Sequence, residues 1–262
     1  MQQEHTKINE IAWNQLAYEA WNNRFGTPYE AACNIKKDPV KKLGSIFKYF
    51  GDVKSKKIVN LLGSHGSKAV ALAMLDAEVT VIDFSWDNQR YAYELAKEAN
   101  VNINYIVSDV LNVPDSENAY DFDIAFCELG ILHYFTDLKN FFQIVSKMLK
   151  KNGIFIIQDF HPISTKLITS KGKKHKVTGD YFSSLLEKTD VAYLKFVPGI
   201  DSLTETEKEG FQKALIRKWT LGEIITSLAE SGFFVKELNE SEGQKPEDKG
   251  IPKLFTICSK KI

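Results

Sequence analysis

The sequence lacks the features that mark several special classes of protein. Its 34 Lys and Arg residues balance 34 Asp and Glu residues, so no excess charge indicates nucleic acid or an anionic membrane as a partner. No apolar run approaches the roughly 20 residues of a membrane-spanning helix. The polar start MQQEHTKINE has no apolar core of the signal-peptide type. We therefore expect a soluble, cytoplasmic protein with neither nucleic acid nor membrane as partner.

Cysteine is also scarce and has no motif spacing. The three cysteines are Cys33, Cys127 and Cys258, without a CxxC pair, and two of them lie in apolar, strand-like runs. This pattern favours buried, reduced thiols over a disulfide framework or a metal site.

The most informative stretch is 57–85, KIVNLLGSHGSKAVALAMLDAEVTVIDFS. An apolar run ends in the Gly-Ser-His-Gly turn at 63–66, an Ala-rich helical segment follows, and a second apolar run ends on Asp83. Glycines let the backbone approach a ligand, and the helix N-terminus behind them offers unpaired N–H groups. An acid about 20 residues further on suits ribose hydroxyls. The pattern predicts a βαβ unit that binds a nucleoside, without saying which one.

Strand and helix patterns alternate beyond this unit. The predicted strands are 103–107, 122–127 and 154–158, and the predicted helices are 86–99 and 138–149. This alternation predicts a doubly wound, Rossmann-like α/β sheet that is mostly parallel, with helices on both faces. Ligands of such sheets bind at the carboxyl ends of the strands. The polar residues at the predicted ends are Asp83, Asp109, Glu128, Asp159 and His161.

Two segments depart from this alternation. The aromatic and apolar residues of the stretch 1–50 predict an N-terminal helical cap. This cap would either pack on the sheet or serve as a lid that brings Arg24 near the substrate. Residues 163–213 are too long for a plain connection and predict an insertion over the active face of an α/β domain at 51–262. The insertion carries a basic run that is either a solvated loop or a means of steering an anionic substrate. That run consists of Lys166, Lys171, Lys173, Lys174, His175 and Lys176.

The C-terminal part predicts one more helix and two strands. Thr220 and Glu223 have capping-box spacing at the start of a helix over 220–231. Strands at 233–238 and 253–259 follow without a helix between them, so they must pair antiparallel or lie apart.

In this order of elements the chain resembles the class I S-adenosylmethionine-dependent methyltransferases over about residues 39–260. The segment AVALAMLDAEVTVIDFS is similar to the family's LA-x-x-GA-x-V-x-G-x-D-x-S, ELGILHYF to the segment after the fourth strand, and LKKNG to the LKPGG turn. The family usually has acid-x-Gly-x-Gly-x-Gly where this chain has NLLGSHG at 60–66. Asn60 can hydrogen-bond but brings no charge. Leu62 and Ser64 add side chains there, which predicts a changed loop path or weaker cofactor binding.

The resemblance implies S-adenosyl-L-methionine as cofactor and a small-molecule acceptor, methylated on oxygen, nitrogen or carbon. Asp83 would bind the ribose, Asp109 and Val110 the adenine, and the glycine turn the methionine part. Simpler explanations stay open, namely a helix cap for Asp83, a core side chain for Phe84 and a turn for Asp109. The cofactor-binding residues implied are Gly63, Ser64, His65, Gly66, Asp83, Phe84, Asp109, Val110, Glu128 and Leu129.

The candidate catalytic residues are His161 and Glu128. An imidazole titrates in the range useful to a general base, but His161 beside Pro162 also suits a structural turn. Glu128 would orient the cofactor or contact the substrate, and His133 suits a buried structural role equally well. These side chains fit no metal-ligand spacing, so we expect no metal.

Two other functions compete with methyl transfer. Asp83 also suits the ribose of NAD, as in an oxidoreductase, although the chain has no G-x-G-x-x-G motif. Asn60 and Leu62 alternatively suit a non-catalytic descendant that only binds. A last strand lying antiparallel between the fifth and sixth strands would exclude the ordinary dinucleotide-binding fold. A homodimer is left open as a possible assembly.

Overall fold

The structure, a computed structural model, describes residues 2–117, 119–171, 174–243 and 245–262. The strands are β1 (Lys57–Leu61), β2 (Glu78–Asp83), β3 (Asn104–Val107), β4 (Phe122–Glu128), β5 (Leu149–Phe160), β6 (Ile168–Lys171), β7 (Lys174–Val177), β8 (Leu186–Thr189), β9 (Ala214–Arg217), β10 (Phe233–Glu242) and β11 (Pro252–Lys261). The α-helices are α1 (Gln2–Trp13), α2 (Ala17–Phe25), α3 (Pro28–Lys37), α4 (Pro39–Leu43), α5 (Ser67–Ala73), α6 (Trp86–Ala99), α7 (Leu138–Met148), α8 (Glu205–Glu209) and α9 (Leu221–Glu230). Within the described ranges, no helix combines the length and apolar character needed to cross a membrane.

Seven strands form the central sheet, in the order β10-β11-β5-β4-β1-β2-β3. The neighbours from β5 to β3 are parallel, whereas β11 is antiparallel to both β5 and β10. This arrangement confirms the predicted sheet and its antiparallel last strand. Because an ordinary dinucleotide-binding fold has no such inserted strand, the topology argues against the NAD-dependent alternative.

The sheet is buried on both faces, as an α/β sheet requires. Successive residues of β1 point to opposite sides, since side chains alternate along a strand. Ile58 packs in the core below α5 and α6, whereas Val59 and Leu61 pack in the core below α7 and α9. The free cysteines are the buried Cys127 and Cys258 and the half-buried Cys33.

The predicted turn at 150–153 is a bulge within β5 rather than a break before it. Phe122 pairs with Leu149 and Ile124 with Ile154, so four residues of β5 bulge out opposite a single residue of β4. Asn152 has a φ of 65°, a left-handed conformation that asparagine tolerates. The bulge therefore uses the turn-forming residues without ending the strand.

The first 50 residues contain more helix than the sequence pattern predicts. Helix α3 was not anticipated, although Thr27 and Glu30 form a capping box around its start and Pro28 occupies the first turn. Residues 39–49 form the short α4 followed by a 3-10 segment rather than one continuous helix. Gly44, with a φ of 69°, ends α4 and explains the break.

The segment 163–213 contains strands β6, β7 and β8, the short helix α8 and several single helical turns. Strands β6 and β7 pair with each other, and β8 pairs with β9, which lies just beyond residue 213. The Tyr193 hydroxyl lies 3.0 Å from Ala12 O and 2.8 Å from Gln15 O. These contacts fix the segment to the junction between α1 and α2.

The described side chains of the predicted basic run do not form one charged surface. The Lys166 ammonium is turned inward and donates to the carbonyls of Ser183 (2.6 Å) and Lys218 (2.9 Å). Lys174 and Lys176 are exposed in the β6–β7 hairpin, and Lys173 lies outside the described residues. Steering of an anion by this run as a unit therefore finds no support in the fold.

Candidate functional site

A cavity of about 440 Å³ lies at the carboxyl ends of the parallel strands, and we call it the strand-end cavity. Its wall combines the loop after β1, the ends of β2 and β4, helix α2 and the segment after β8. The lining residues are Trp13, Trp21, Arg24, Phe25, Lys42, Asn60, Leu62, Gly63, Ser64, His65, Ser67, Lys68, Asp83, Phe84, Glu128, Leu129, Gly130, Ile131, His133, Tyr134, Phe160, Ala192 and Lys195. Another cavity, of about 510 Å³, lies at the amino ends of the strands. The general rule for α/β sheets favours the carboxyl edge as the functional one.

The loop after β1 has a left-handed backbone at three positions, only one of which is a glycine. Leu62 and Ser64 have φ values of 49° and 50°, a left-handed conformation that costs a non-glycine residue about 1–2 kcal/mol. These are the two positions at which the family usually has glycine. Gly66, at 71°, is the glycine in register with the motif. The Leu62 and Ser64 side chains are thus accommodated in the unfavourable conformation, and the changed path or weaker cofactor binding stays a prediction.

Gly63 is required for a different reason, since its φ is not positive. A Cβ atom at this position would lie 2.6 Å from Asn60 Oδ1 and 2.7 Å from Val81 Cγ1. Asn60 is 3% exposed and Val81 is fully buried, so neither side chain has room to move away. The loop therefore packs directly against β1 and β2 at this residue.

Asp83 fixes this loop to the end of β2. Its Oδ2 accepts from the Ser64 N–H (3.0 Å), and its Oδ1 accepts from the Ser85 N–H (2.9 Å) and from Asn88 Nδ2 (3.3 Å). Burial raises the pKa of the carboxyl group, and the hydrogen bonds partly oppose that shift. The carboxylate thus joins the glycine turn to the start of α6 while bordering the strand-end cavity. The N-cap of α6 is Ser85 and not Asp83, so the simpler explanation of Asp83 as a helix cap does not hold.

The end of β3 is more tightly packed than its predicted role suggests. Asp109 accepts from the Leu111 N–H (3.0 Å) and from Asn112 Nδ2 (2.9 Å), so its carboxylate shapes the following 3-10 turn. Asp109, with Asp83 and Phe84, borders a space of only about 10 Å³, room for about one water molecule. The other residues around this space are Thr6, Asn9, Leu62, Ser108, Val110, Tyr134 and Phe135. Helix α1 therefore covers the predicted adenine position.

The end of β4 carries a buried ion pair. Glu128 lies against the Lys68 ammonium, which also donates to the Leu43 carbonyl (3.1 Å). Burial raises the pKa of Glu128, and the charges of Lys68 and Lys42 act in the opposite direction. The next residue, Leu129, has a φ of 59° and is 45% exposed at the cavity. Lys68 was not anticipated, because it lies on α5 and meets Glu128 only through the fold.

His65 is held between aromatic side chains of α2. Its ring lies 4.7 Å from that of Trp21 and 4.6 Å from that of Phe25, nearly parallel to the latter. The Ser67 hydroxyl lies 2.9 Å from Nε2. Burial lowers the pKa of His65 well below its usual value, and the nearby cations Lys42, Arg24 and Lys68 lower it further. The imidazole is therefore neutral at physiological pH.

His133 is placed by a hydrogen-bond network centred on Asp159. The Asp159 carboxylate accepts from the backbone N–H groups of residues 130, 131 and 132, at 2.6, 3.1 and 3.1 Å. A Cβ on Gly130 would lie 3.1 Å from His133 Cε1, so the His133 ring packs on the bare backbone there. Among the described residues, the His133 ring makes no hydrogen bond. It borders both the strand-end cavity and an adjoining cavity of about 270 Å³, which we call the side cavity.

His161 is not positioned for the catalytic role that its sequence suggested. The residue is 2% exposed and does not line the strand-end cavity. Nε2 lies 2.6 Å from Glu240 Oε1, and Nδ1 accepts from the Ile163 N–H at 3.1 Å. With both ring nitrogens occupied, the imidazole stabilises the turn after β5, and we do not retain it as the general base. Among the described residues, no group of three or more His, Cys, Asp or Glu is arranged as a metal site.

Comparison with known proteins places this chain in a family. A family model described as a methyltransferase domain matches residues 56–209, more than half of the chain. The chain therefore belongs to the methyltransferase-domain family and has the fold of the class I S-adenosylmethionine-dependent methyltransferases.

Curated relatives carry a more specific name. The ubiquinone biosynthesis O-methyltransferase of Rickettsia conorii (strain ATCC VR-613 / Malish 7) is 27% identical over 165 residues, which are 62% of this chain and 54% of that protein. The protein of the same name from Rickettsia akari (strain Hartford) is 29% identical over 147 residues, 55% of each chain. The chain thus spans about half the length of the curated relatives it matches.

Solved structures extend the likeness to nearly the whole fold. An S-adenosylmethionine-dependent methyltransferase from Mesorhizobium loti has a TM-score of 0.64 at 19% identity, covering 86% of this chain and 99% of that one. Magnesium protoporphyrin IX methyltransferase from Synechocystis PCC 6803, with bound S-adenosylmethionine, has a TM-score of 0.58 at 10% identity, covering 98% and 97%. At these identities the likeness establishes the fold, and S-adenosylmethionine is the cofactor of the class that shares it.

Proposed function

We propose that this protein transfers the methyl group of S-adenosylmethionine to a small-molecule acceptor bound beside the strand-end cavity. The observation that carries the proposal is the buried Asp83 carboxylate, which accepts the N–H of Ser64 and borders the cavity at the same strand end. This places an acid suited to ribose next to a glycine turn suited to the methionine part. The name of the curated relatives supports a small organic acceptor.

The cofactor supplies the electrophilic methyl group, so the protein mainly binds and aligns. Asp83 would hold the ribose hydroxyls and the backbone of 63–66 the methionine part. Asp109, Val110 and Phe84 would border the adenine after α1 shifts. Glu128 and Leu129 would contact the cofactor close to the reacting centre. The cap at 1–50 and the insertion at 163–213 would enclose the acceptor.

His133, rather than His161, is our proposed general base. Burial lowers its pKa, with the Asp159 carboxylate acting in the opposite direction, so the ring is neutral at physiological pH and can accept a proton. Its nitrogens are unoccupied among the described residues, and it lies between two cavities. An acceptor in the side cavity would present a hydroxyl or amine to His133 as the methyl group is transferred.

A binding experiment tests the proposal most directly. Titration calorimetry should show micromolar binding of S-adenosylmethionine and S-adenosylhomocysteine and no comparable binding of NAD. Asp83→Asn should weaken the binding of both sulfur nucleosides by about tenfold or more, because an amide NH₂ group replaces one of the two oxygens that would accept from the ribose hydroxyls. Asp201→Asn, at an exposed aspartate of the insertion, is the matched control and should bind as the parent does. Failure of both sulfur nucleosides to bind would favour the non-catalytic alternative.

The base is tested separately from the cofactor. His133→Gln should lower kcat by about 10²–10⁴ while the affinity for S-adenosylhomocysteine stays unchanged. The assay uses radiolabelled cofactor and whichever hydroxyl- or amine-bearing small molecule of a screened panel is methylated. An equal loss in His161→Gln with His133→Gln fully active would reverse the assignment.

The remaining aspects of the function are proposals with less structural support. Free thiols at all three cysteines support a reducing, cytoplasmic location. The balanced net charge supports partners other than nucleic acid and membrane. A homodimer stays a prediction, which sedimentation velocity would test.

A further inference from the structure

The strand-end cavity has an excess of positive charge that the whole chain does not have. Basic and acidic side chains are equal in number in the sequence, at 34 each. Around the cavity, however, four cationic side chains face only two carboxylates, an excess of two positive charges with histidine neutral. The charged lining residues are Arg24, Lys42, Lys68, Lys195, Asp83 and Glu128.

This excess already counts both carboxylates. Glu128 is paired with Lys68, and among the described residues Asp83 accepts N–H groups of the loop and of α6 but forms no ion pair. Among the described residues, the other three cations have no carboxylate within ion-pair distance. Those cations are Arg24, Lys42 and Lys195.

The three unpaired cations lie close together around two phenylalanine rings. The Arg24 guanidinium carbon is 4.7 Å from the centre of the Phe25 ring and 4.3 Å from that of Phe196. The Lys42 ammonium is 5.0 Å from the Phe25 ring, and the Lys195 ammonium is 5.1 Å from the Phe196 ring. Cation–π contacts of this kind stabilise the cations only modestly where water has access. The two rings alone therefore do not neutralise the three positive charges.

Burial and neighbouring cations both act on Lys42, the half-buried member of the group. Burial lowers the pKa of Lys42, and the charges of Lys68 and Arg24 lower it further, with only Glu128 opposing. S-adenosylmethionine would increase the repulsion, since its sulfonium and ammonium outnumber its single carboxylate. Its carboxylate can contact one of the cations, but the net charge around the cavity still rises from two to three when the cofactor binds.

We propose that the acceptor carries an anionic group, a carboxylate or a phosphate, that is bound by Arg24, Lys42 and Lys195. This inference rests on the proposed methyl transfer and specifies its substrate class. The planar guanidinium of Arg24 suits two parallel hydrogen bonds to either anion, and the lysines add mobile point charges. The three cations come from α2, α4 and the insertion, so an anion here would also hold the cap and the insertion together.

The test uses simple aromatic probes on protein saturated with S-adenosylhomocysteine. Benzoate and phenyl phosphate should bind, whereas the neutral benzyl alcohol should bind at least about tenfold more weakly. The affinity of the anions should fall as sodium chloride is raised. Preference for benzoate or for phenyl phosphate would identify the anion as a carboxylate or a phosphate.

Charge variants locate the probe. Arg24→Gln and Lys195→Gln should each weaken benzoate or phosphate binding by about fivefold to tenfold and leave benzyl alcohol unaffected. Lys188→Gln, an exposed lysine of β8 away from the cavity, is the matched control and should have no effect.

Each other result overturns the proposal in a recognisable way. Equal binding of anions and benzyl alcohol, with S-adenosylhomocysteine still bound, overturns the anionic acceptor but leaves methyl transfer intact. If Arg24→Gln and Lys195→Gln weaken S-adenosylhomocysteine as much as the anions, the cations serve the cofactor instead. If S-adenosylhomocysteine does not bind at all, the proposed function fails first and this inference fails with it.

Discussion

Replacing Gly63 by alanine should destabilise the fold by about 2 kcal/mol, although the change adds a single methyl group. The new Cβ would lie 2.6 Å from Asn60 Oδ1 and 2.7 Å from Val81 Cγ1. Relaxed carbon contacts are about 3.5–4.0 Å, so buried atoms of β1 and β2 must move by about 1 Å. Overpacking of this kind costs about 1–3 kcal/mol. The central value of about 2 kcal/mol corresponds to a melting temperature roughly 4–8 °C lower for a chain of this size.

The assay is equilibrium unfolding in urea, followed by circular dichroism, with heat denaturation as a second measure. Gly222→Ala is the matched control, because a Cβ there meets nothing within 4 Å. Because Gly222 lies in the first turn of α9 and not in its middle, the same substitution should stabilise the protein by less than about 1 kcal/mol. A Gly63→Ala protein within about 0.5 kcal/mol of the parent would refute the packing argument.

A double mutant separates crowding from other causes. Val81→Ala alone should destabilise the protein by removing buried methyl groups. In the background of Gly63→Ala, the same change makes room for the new Cβ. The double mutant should therefore be more stable than the sum of the single effects predicts, by about 1 kcal/mol. Strict additivity would show that Val81 is not the obstacle.

Three further predictions concern the site. Burial and neighbouring cations lower the pKa of His65 in the folded state, so the unfolded chain binds a proton near pH 6.5 that the folded chain does not. The free energy of unfolding should therefore be highest above that pH and decrease as the pH falls. In His65→Gln, the free energy of unfolding measured in urea should depend less on pH between about pH 5 and 7 than it does in the parent. Binding of S-adenosylhomocysteine should change amide hydrogen exchange across α1, which covers the end of β3, more than across α9, and unchanged exchange in α1 would contradict this. Asp159→Asn should cost roughly 2–4 kcal/mol, since an amide cannot accept all the backbone N–H groups that the carboxylate holds, whereas a loss below about 1 kcal/mol would show that the loop does not depend on it.

The order of elements could be predicted because its signals are local. Apolar runs, glycine turns and the Thr220 capping box each depend on residues a few positions apart, and each predicted strand of the central sheet is present. Asp83 follows from the same logic, since an acid at a strand end is visible in the chain. The α3 helix had an equally local signal, in Thr27, Pro28 and Glu30, and could have been found.

His161 shows where local reasoning ends. Its position after β5 is readable from the sequence, but the direction of its side chain is not. The His161 N–H donates to Lys253 O (2.9 Å), so the residue extends the pairing of β5 with β11, and its ring meets Glu240 of β10. Only the order of the sheet decides that this strand end faces β10 and not the cavity.

The fold class, the glycine turn and the acids at the strand ends could be predicted from the sequence, because periodicity and turn chemistry act over short distances. The tertiary structure alone decided which side chains share the cavity. Arg24, Lys42, Lys68 and Lys195 come from four separate elements, and His133 is placed by Asp159 from a neighbouring strand. The left-handed conformations of Leu62 and Ser64 are likewise imposed by packing against their own preference. Such contacts join residues distant in the chain, and only folding brings them together.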